Sequence, residues 1–343
     1  MLQVINATPF ATGRAVLLSA HGEHIWTVAI KATYRIEEDG KLSLAEQPEP
    51  VFHHAVYLGA PGASSLVRDA ELVVEHPGTA ITLNAKAYAP SGRPEYSVDV
   101  AVGVGQIQHQ LKIIGDRTWQ PRLLGGVHMS DPQRFIDMPI CYERAFGGVD
   151  PGTRSAAPQN PVGTGYASSA RAAKGVRLPN VELPTEPIER PDRHLPPAGF
   201  GAIAPSWTPR KELGGTADEQ WAQTRAPLWP ADWSPWHCNA APKPLQSPTK
   251  LRGGERVVLV NLSSRPRLEF SLPRVFFDVR TKLSNGSVSN EVGLDRVIIE
   301  PEHRRLVMVW RSALNCGPDA RRVSTTYVDT KRDIHTGRND GTA

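Results

Sequence analysis

Helical periodicity is nearly absent from this 343-residue sequence, cysteine is scarce, and no apolar run approaches the ~18 residues that argue for a membrane-spanning helix. Each absence excludes something. The three cysteines, Cys141, Cys238 and Cys316, are odd in number and far apart, which fits a reducing compartment better than a disulfide framework. Met1-Leu2-Gln3-Val4-Ile5-Asn6 shows no basic stretch leading into an apolar one, so no secretory signal is visible and a cytoplasmic protein without membrane insertion is expected. Lys+Arg 39 and Asp+Glu 35 are interleaved for a net charge of +4, without the basic stripe that marks a nucleic-acid binder.

Catalytic and ligand motifs are missing too. No phosphate loop or nucleophile elbow occurs. Gly103-Val104-Gly105 lacks the third glycine of a dinucleotide fingerprint and joins two strand patterns. His21 and His24 lie three apart and His53 and His54 are adjacent, yet neither pair has companion ligands. Adjacent residues of a strand point to opposite faces, so His53 and His54 do not chelate together. No metal and no other cofactor is expected.

Proline and glycine are what the sequence has in excess. Its 31 prolines and 29 glycines are well above the usual combined share of about 12%. Residues 121–250 hold 20 of the 31 prolines and five of the eight tryptophans, and the flanks read differently.

In residues 25–36 every even position is apolar, from Trp26 to Ile36, and the odd ones include Thr27, Lys31, Thr33 and Arg35. A period of two predicts a strand with one buried face. Similar rows run through Ile81–Ala87, Val98–Val104 and Ile107–Ile113, with turn signals at Asp39-Gly40 and Gly103-x-Gly105. Residues 1–120 therefore read as antiparallel β. Residues 251–316 repeat the pattern, with β-rich runs at 256–262, 274–280, 297–299 and 306–310, a turn at Asn285-Gly286 and a hairpin loop at 300–304. Residues 317–343 are polar and read as a flexible tail. The fold class is mainly β, with antiparallel, sandwich-like sheets and at most a few short helices. Whether the two flanks form one sandwich or two domains stays open at this point.

The middle, 121–250, reads as an irregular layer packed on the sheets. Disordered segments are poor in aromatics, whereas this stretch carries Phe146, Phe200, Trp207, Trp229, Trp233 and Trp236 among others. Its one credible helix starts at a capping box, Thr216-Ala217-Asp218-Glu219, runs through 220–225 and stops at Pro227. Pro230–Cys238 sets His237 beside Cys238, but sequence adjacency adds little to a thiol-enzyme reading because catalytic pairs are assembled by folding.

Several blocks occur in order: Gly115-Asp116-Arg117-Thr118-Trp119, Met138–Gly148 ending in Phe146-Gly147-Gly148, Asn160–Gly165, Leu178–Glu182, Pro197–Gly201, Trp207–Arg210, Gly215–Trp221, Pro227–Asp232 and Leu251–Glu255. Together they resemble domain-of-unknown-function family 2169, over about residues 3 to 312. The resemblance implies a protein encoded beside type VI secretion genes in Gram-negative bacteria. It implies a non-enzymatic adaptor or chaperone that stabilises a PAAR-containing toxic effector, at the effector's amino-terminal or PAAR-proximal region, and helps load it onto the VgrG spike. Some relatives carry pentapeptide repeats after this domain, and none is present in this sequence. No functional residue carries over.

On the residues themselves, interface anchors favour Trp, Tyr and Arg, which makes Arg210, Trp229, Trp233 and Trp236 the candidate partner-binding set. Asp116, Arg117, Trp119, Phe146, Gly147 and Gly148 read as a structural motif, with Asp116 closing a turn, Arg117 pairing with a buried carboxylate and Gly147-Gly148 turning sharply. The rival reading is a carbohydrate-active enzyme or carbohydrate-binding module with a tryptophan platform, for which Glu143, Glu182, Asp218 and Asp232 are the available carboxylates.

Overall fold

The computed structural model describes residues 2–331 apart from Leu124 and His194, and the chain is mainly β with mostly antiparallel sheets. Its axis is the 13-residue strand His24–Ile36. The apolar even positions of that strand, Trp26 to Ile36, all enter the main core. Ala11–Leu18 pairs antiparallel on one side of it and Arg305–Asn315 on the other. Val292–Glu300 follows through a hairpin whose turn residue Arg304 has φ 49°. Thr79–Leu83 then joins in parallel, Gln246–Ser247 follows it, and Leu42–Leu44, paired with the end of His24–Ile36, makes the seventh strand of the sheet.

A five-stranded antiparallel sheet runs Val181–Glu182, Ile107–Ile114, Ser97–Val104, Arg256–Val260, Arg267–Ser271. A four-stranded sheet runs Gln3–Asn6, Val323–Thr330, Phe277–Leu283, Gly286–Asn290. Strands from before residue 120 and after residue 250 thus share sheets around one main core. The irregular middle supplies Tyr142, Phe200 and Trp207 to that core.

Four expectations change. Val323–Thr330 is a strand, where the sequence reads as flexible tail; its residues are polar because only Val323, Thr326 and Val328 turn inward. The rest of that tail, from 332, lies outside the described residues. The helix is Glu219–Thr224, and its cap is Asp218, which accepts from the Trp221 amide at 2.8 Å. Thr216 is diverted to Asp232, accepting no helical amide and bonding through its own amide and hydroxyl at 2.8 and 2.7 Å. The run at 274–280 becomes a strand only from Phe277, leaving Phe276 exposed.

The largest difference concerns the odd face of His24–Ile36. Alternation predicts a solvated face, yet Thr27, Ala29, Lys31 and Thr33 are buried, covered by the segment 49–76. Lys31 is fully buried, with its ammonium 2.8 Å from Glu71, 3.2 Å from Glu49, and donating to the Pro50 carbonyl at 3.0 Å. Arg68 reaches Glu300 at 2.7 Å, and Arg305 bridges Glu49 and Glu300 at 2.8 and 2.5 Å. Three cations and three carboxylates therefore share one closed cluster, the arrangement that offsets the cost of taking charge out of water.

Removing one member strands its partners. Lys31→Ala leaves Glu71 buried without its ammonium, and we expect a loss of about 3–5 kcal/mol in urea unfolding. Lys31→Met combined with Glu71→Gln should recover much of that loss, and a single variant as stable as the parent would show that the cluster contributes nothing.

Candidate partner-binding groove

Of the predicted anchors, Arg210 is not at the surface. It is buried, and its guanidinium pairs with Asp69 at 2.6 Å while donating to the carbonyls of Ile203 and His237 at 2.7 and 2.8 Å. Burial alone would raise the Asp69 carboxyl, but Arg210 and Arg296 hold it below its ordinary value. A short helical turn, Arg210–Leu213, presents Arg210 inward, so its charge fastens the middle segment to the strip over the main sheet.

The tryptophans do gather. Trp229 stacks on Trp233 with ring centroids 5.3 Å apart, His237 lies 6.0 Å from Trp229, and the Lys243 ammonium sits 5.2 Å over Trp236. All three indoles are half-buried. Arg225 ties this patch to the body, donating to the carbonyls of Trp229 and Ala20 at 2.5 and 2.7 Å. Next to it, burial pushes the Cys238 thiol up to about 11, opposite to the shift of a reactive thiolate.

The structural motif is tightly bonded. Asp116 does not simply close a turn through its carboxylate, which instead accepts from Asn180, Arg177 and Arg144 at 2.9, 3.1 and 3.4 Å. Arg117 pairs with buried Glu182 and donates to the Pro179 carbonyl. Trp119 and Phe146 share a second, smaller core with Leu178 and Ile188. Gly147 and Gly148 have φ of 150° and 94°, and a Cβ there would stand 2.1 Å from the Asn160 carbonyl and 2.4 Å from that of Gly163. Only glycine fits.

The four carboxylates considered for sugar chemistry hold four separate posts. Glu143 accepts from the Ser65 amide at 2.8 Å and from its hydroxyl. Glu182 faces Arg117, Asp218 caps the helix, and Asp232 holds Thr216. Among the described residues, no group of three or more His, Cys, Asp or Glu side chains could hold a metal ion. No described helix is long and apolar enough to cross a membrane.

What the sequence did not announce is a groove of about 1250 Å³ at the corner where the chain passes from the four-stranded to the seven-stranded sheet. That passage is made by Glu291, between Gly286–Asn290 and Val292–Glu300. Val275, Phe276, Phe277, Leu251 and Trp310 supply its apolar walls. Lys250, Arg252, Arg311 and Lys331 supply four cations, against Glu291 and Asp295. Lys250 and Arg311 share the single Asp295 carboxylate, Arg311 at 2.6 Å, so the floor keeps a surplus positive charge. Gly293 lets the Lys250 stem lie across the strand, since a Cβ would meet it at 3.1 Å. The signal in the sequence was faint: an uncharged run, Gly286–Asn290, and a Phe276-Phe277 pair of which only one member is needed for the core.

A family model described as an uncharacterized protein conserved in bacteria, domain of unknown function 2169, matches residues 21–311. The chain belongs to this family. The match to family 2169 spans the tryptophan patch, the Asp116–Trp119 motif and all of the groove except Ala313 and Lys331. No curated protein and no solved structure matches the chain.

Two predictions follow from these surroundings. Burial pushes the His76 imidazole down to about 3 from 6.5, with Arg296, Lys250 and Arg311 adding to the shift against Asp295. Between pH 6.5 and about 3 the unfolded chain therefore holds a proton that folded His76 refuses, and stability falls as pH falls. Each such group contributes up to about 1.4 kcal/mol per pH unit, and His76→Gln should remove one proton's share of the slope in urea titrations. An unchanged slope would contradict it. The joint change Trp233→Ala, Trp236→Ala should cost about 2–3 kcal/mol in thermal or urea unfolding, because Trp233 stacks on Trp229, Trp236 lies under Lys243, and both half-buried rings hold the layer down; unchanged stability would mark them as free anchors instead.

Proposed function

We propose that this protein is a non-catalytic adaptor or chaperone of type VI secretion. In this reading it binds a PAAR-containing toxic effector in the cytoplasm, at the effector's amino-terminal or PAAR-proximal region, keeps it soluble, and helps deliver it to the VgrG spike. The observation that carries the reading is the groove. Its apolar walls and cationic floor set dry surface beside fixed charge, the two elements a protein interface combines. Membership of family 2169 supports it through the resemblance described above. A rigid body suits the task, because a receptor that is already ordered loses little entropy on binding.

A second reading has one observation in its favour, the half-exposed Trp229–Trp233 stack, which offers a platform for a sugar ring. Its weakness is that Asp232, the carboxylate nearest in sequence, is held by Thr216. A glycan array and a glycosidase screen separate the two readings.

The direct experiment is co-expression with the PAAR effector encoded beside this gene, followed by affinity capture and size-exclusion chromatography. We expect a stable complex and an effector that is insoluble without it. Two separately soluble proteins that never co-elute would rule the adaptor reading out.

A further inference from the structure

The four-stranded sheet covers the seven-stranded sheet incompletely. Its inner face carries Phe277, Val279 and Thr281, all buried, and Phe277 meets Trp310 of the larger sheet edge-on at 5.2 Å. One strand further out, Val288 lies opposite Thr281 and Asn290 opposite Val279, so both share that inner face. There the cover runs out. Val288 is 37% exposed, and the Asn290 Oδ1 is shielded from water yet has no hydrogen-bond partner among the described residues.

Among the described residues Gly286–Asn290 is also a sheet edge, paired only with Phe277–Leu283, which leaves a row of backbone donors and acceptors open to a further strand. Edge strands are normally blunted by charge, proline or a bulge. The edge strand Arg267–Ser271 of the five-stranded sheet obeys this rule, with Arg267 and Glu269 paired along it. Gly286-Ser287-Val288-Ser289-Asn290 has no charge and no proline, and its last two residues line the groove.

We propose that the groove is the seat of an absent strand, filled by an extended segment of a protein partner that alternates apolar and acidic residues. Its backbone pairs with the Gly286–Asn290 edge, the β-addition mode of peptide recognition. Its apolar side chains cover Val288 and enter between Phe276 and Trp310. Its carboxylates meet Lys250, Arg252, Arg311 and Lys331, where four cations face only two acids. The chain's own residues 332–343 are a poorer match in sequence, since Arg332, Asp333, Arg338 and Asp340 cancel and Ile334 is the one large apolar residue. This names the docking site of the adaptor reading and rests on that reading's premise of a protein partner.

The test uses the full chain and a fluorescein-labelled peptide of about ten residues alternating valine and glutamate, followed by anisotropy. We expect saturable binding that fails when lysine replaces glutamate or when proline interrupts the middle. Val288→Glu, on the inner face, should weaken binding by about tenfold or more, since it adds like charge and removes apolar cover. Ser287→Glu, on the opposite face of the same edge, should leave it nearly unchanged. Both positions are exposed, so unchanged melting temperatures confirm that the variants fold. Equal binding of the lysine peptide, equal effects of the two substitutions, or no binding at all overturns the proposal. Displacement of the probe by a peptide of residues 332–343, or a dimer of this chain that Val288→Glu dissolves, assigns the groove to another occupant and overturns it as well. The effector co-expression is repeated with Val288→Glu: a complex that survives it defeats the groove while sparing the adaptor, whereas peptide binding without any effector complex defeats the adaptor while sparing the groove.

Discussion

Long cations on and beside the main sheet hold the strip 49–76 by its backbone carbonyls, and the rest of the molecule is arranged around that grip. Most of the strip makes no strand ladder, so its carbonyls need donors from elsewhere. Lys31 donates to Pro50, Arg296 to Asp69 and Ala70, Arg311 to Val74, and Lys250 to His76. The same side chains neutralise Glu49, Glu71, Asp69 and Asp295. Each long cation thus satisfies two demands at once, and the second face of a wide sheet is closed without a second hydrophobic layer. Only a small apolar cluster, with Ala29, Val51, Leu72 and Val307, accompanies it.

This grip links the parts of the molecule that concern function. Asp69 receives Arg296 from the sheet and Arg210 from the middle segment, so the strip is a hinge pin between them. At its other end, Asp295 gathers Lys250 and Arg311 where the groove begins. The cationic floor of the groove is therefore the last visible part of an internal network. A ligand there touches charges whose positions are fixed by the main sheet.

The strands of the fold were legible because alternation is a local signal. Trp26, Val28 and Ile30 mark a core face whatever lies on the other side. Their partners across the strand were not legible, because Lys31 and Thr33 look the same in a sequence whether they face water or a buried carboxylate. Arg210 was misplaced for the same reason: an arginine beside tryptophans suits a surface anchor, and only folding brings Asp69 to it from 141 residues away. The Asp218 cap was missed by two residues because Thr216 found a distant acceptor, Asp232. The groove left little trace, since it is made where a sheet lacks a strand, and a missing element has no residues to read.

The pairing of Gln3–Asn6 with Val323–Thr330 sets a condition on how the molecule comes into being. Gln3 lies opposite Thr325, and the Trp26 indole donates to the Thr326 hydroxyl at 2.8 Å. A ribosome releases Gln3 long before Thr325 exists, and contacts that span so much chain are slow to form. Until then the first strand has no neighbour in its sheet, and Trp26 lacks the acceptor for its ring nitrogen. Among the described strands the last to be made, Val323–Thr330, lies in the sheet that borders the groove, so closure of that sheet reports that translation has reached Thr330.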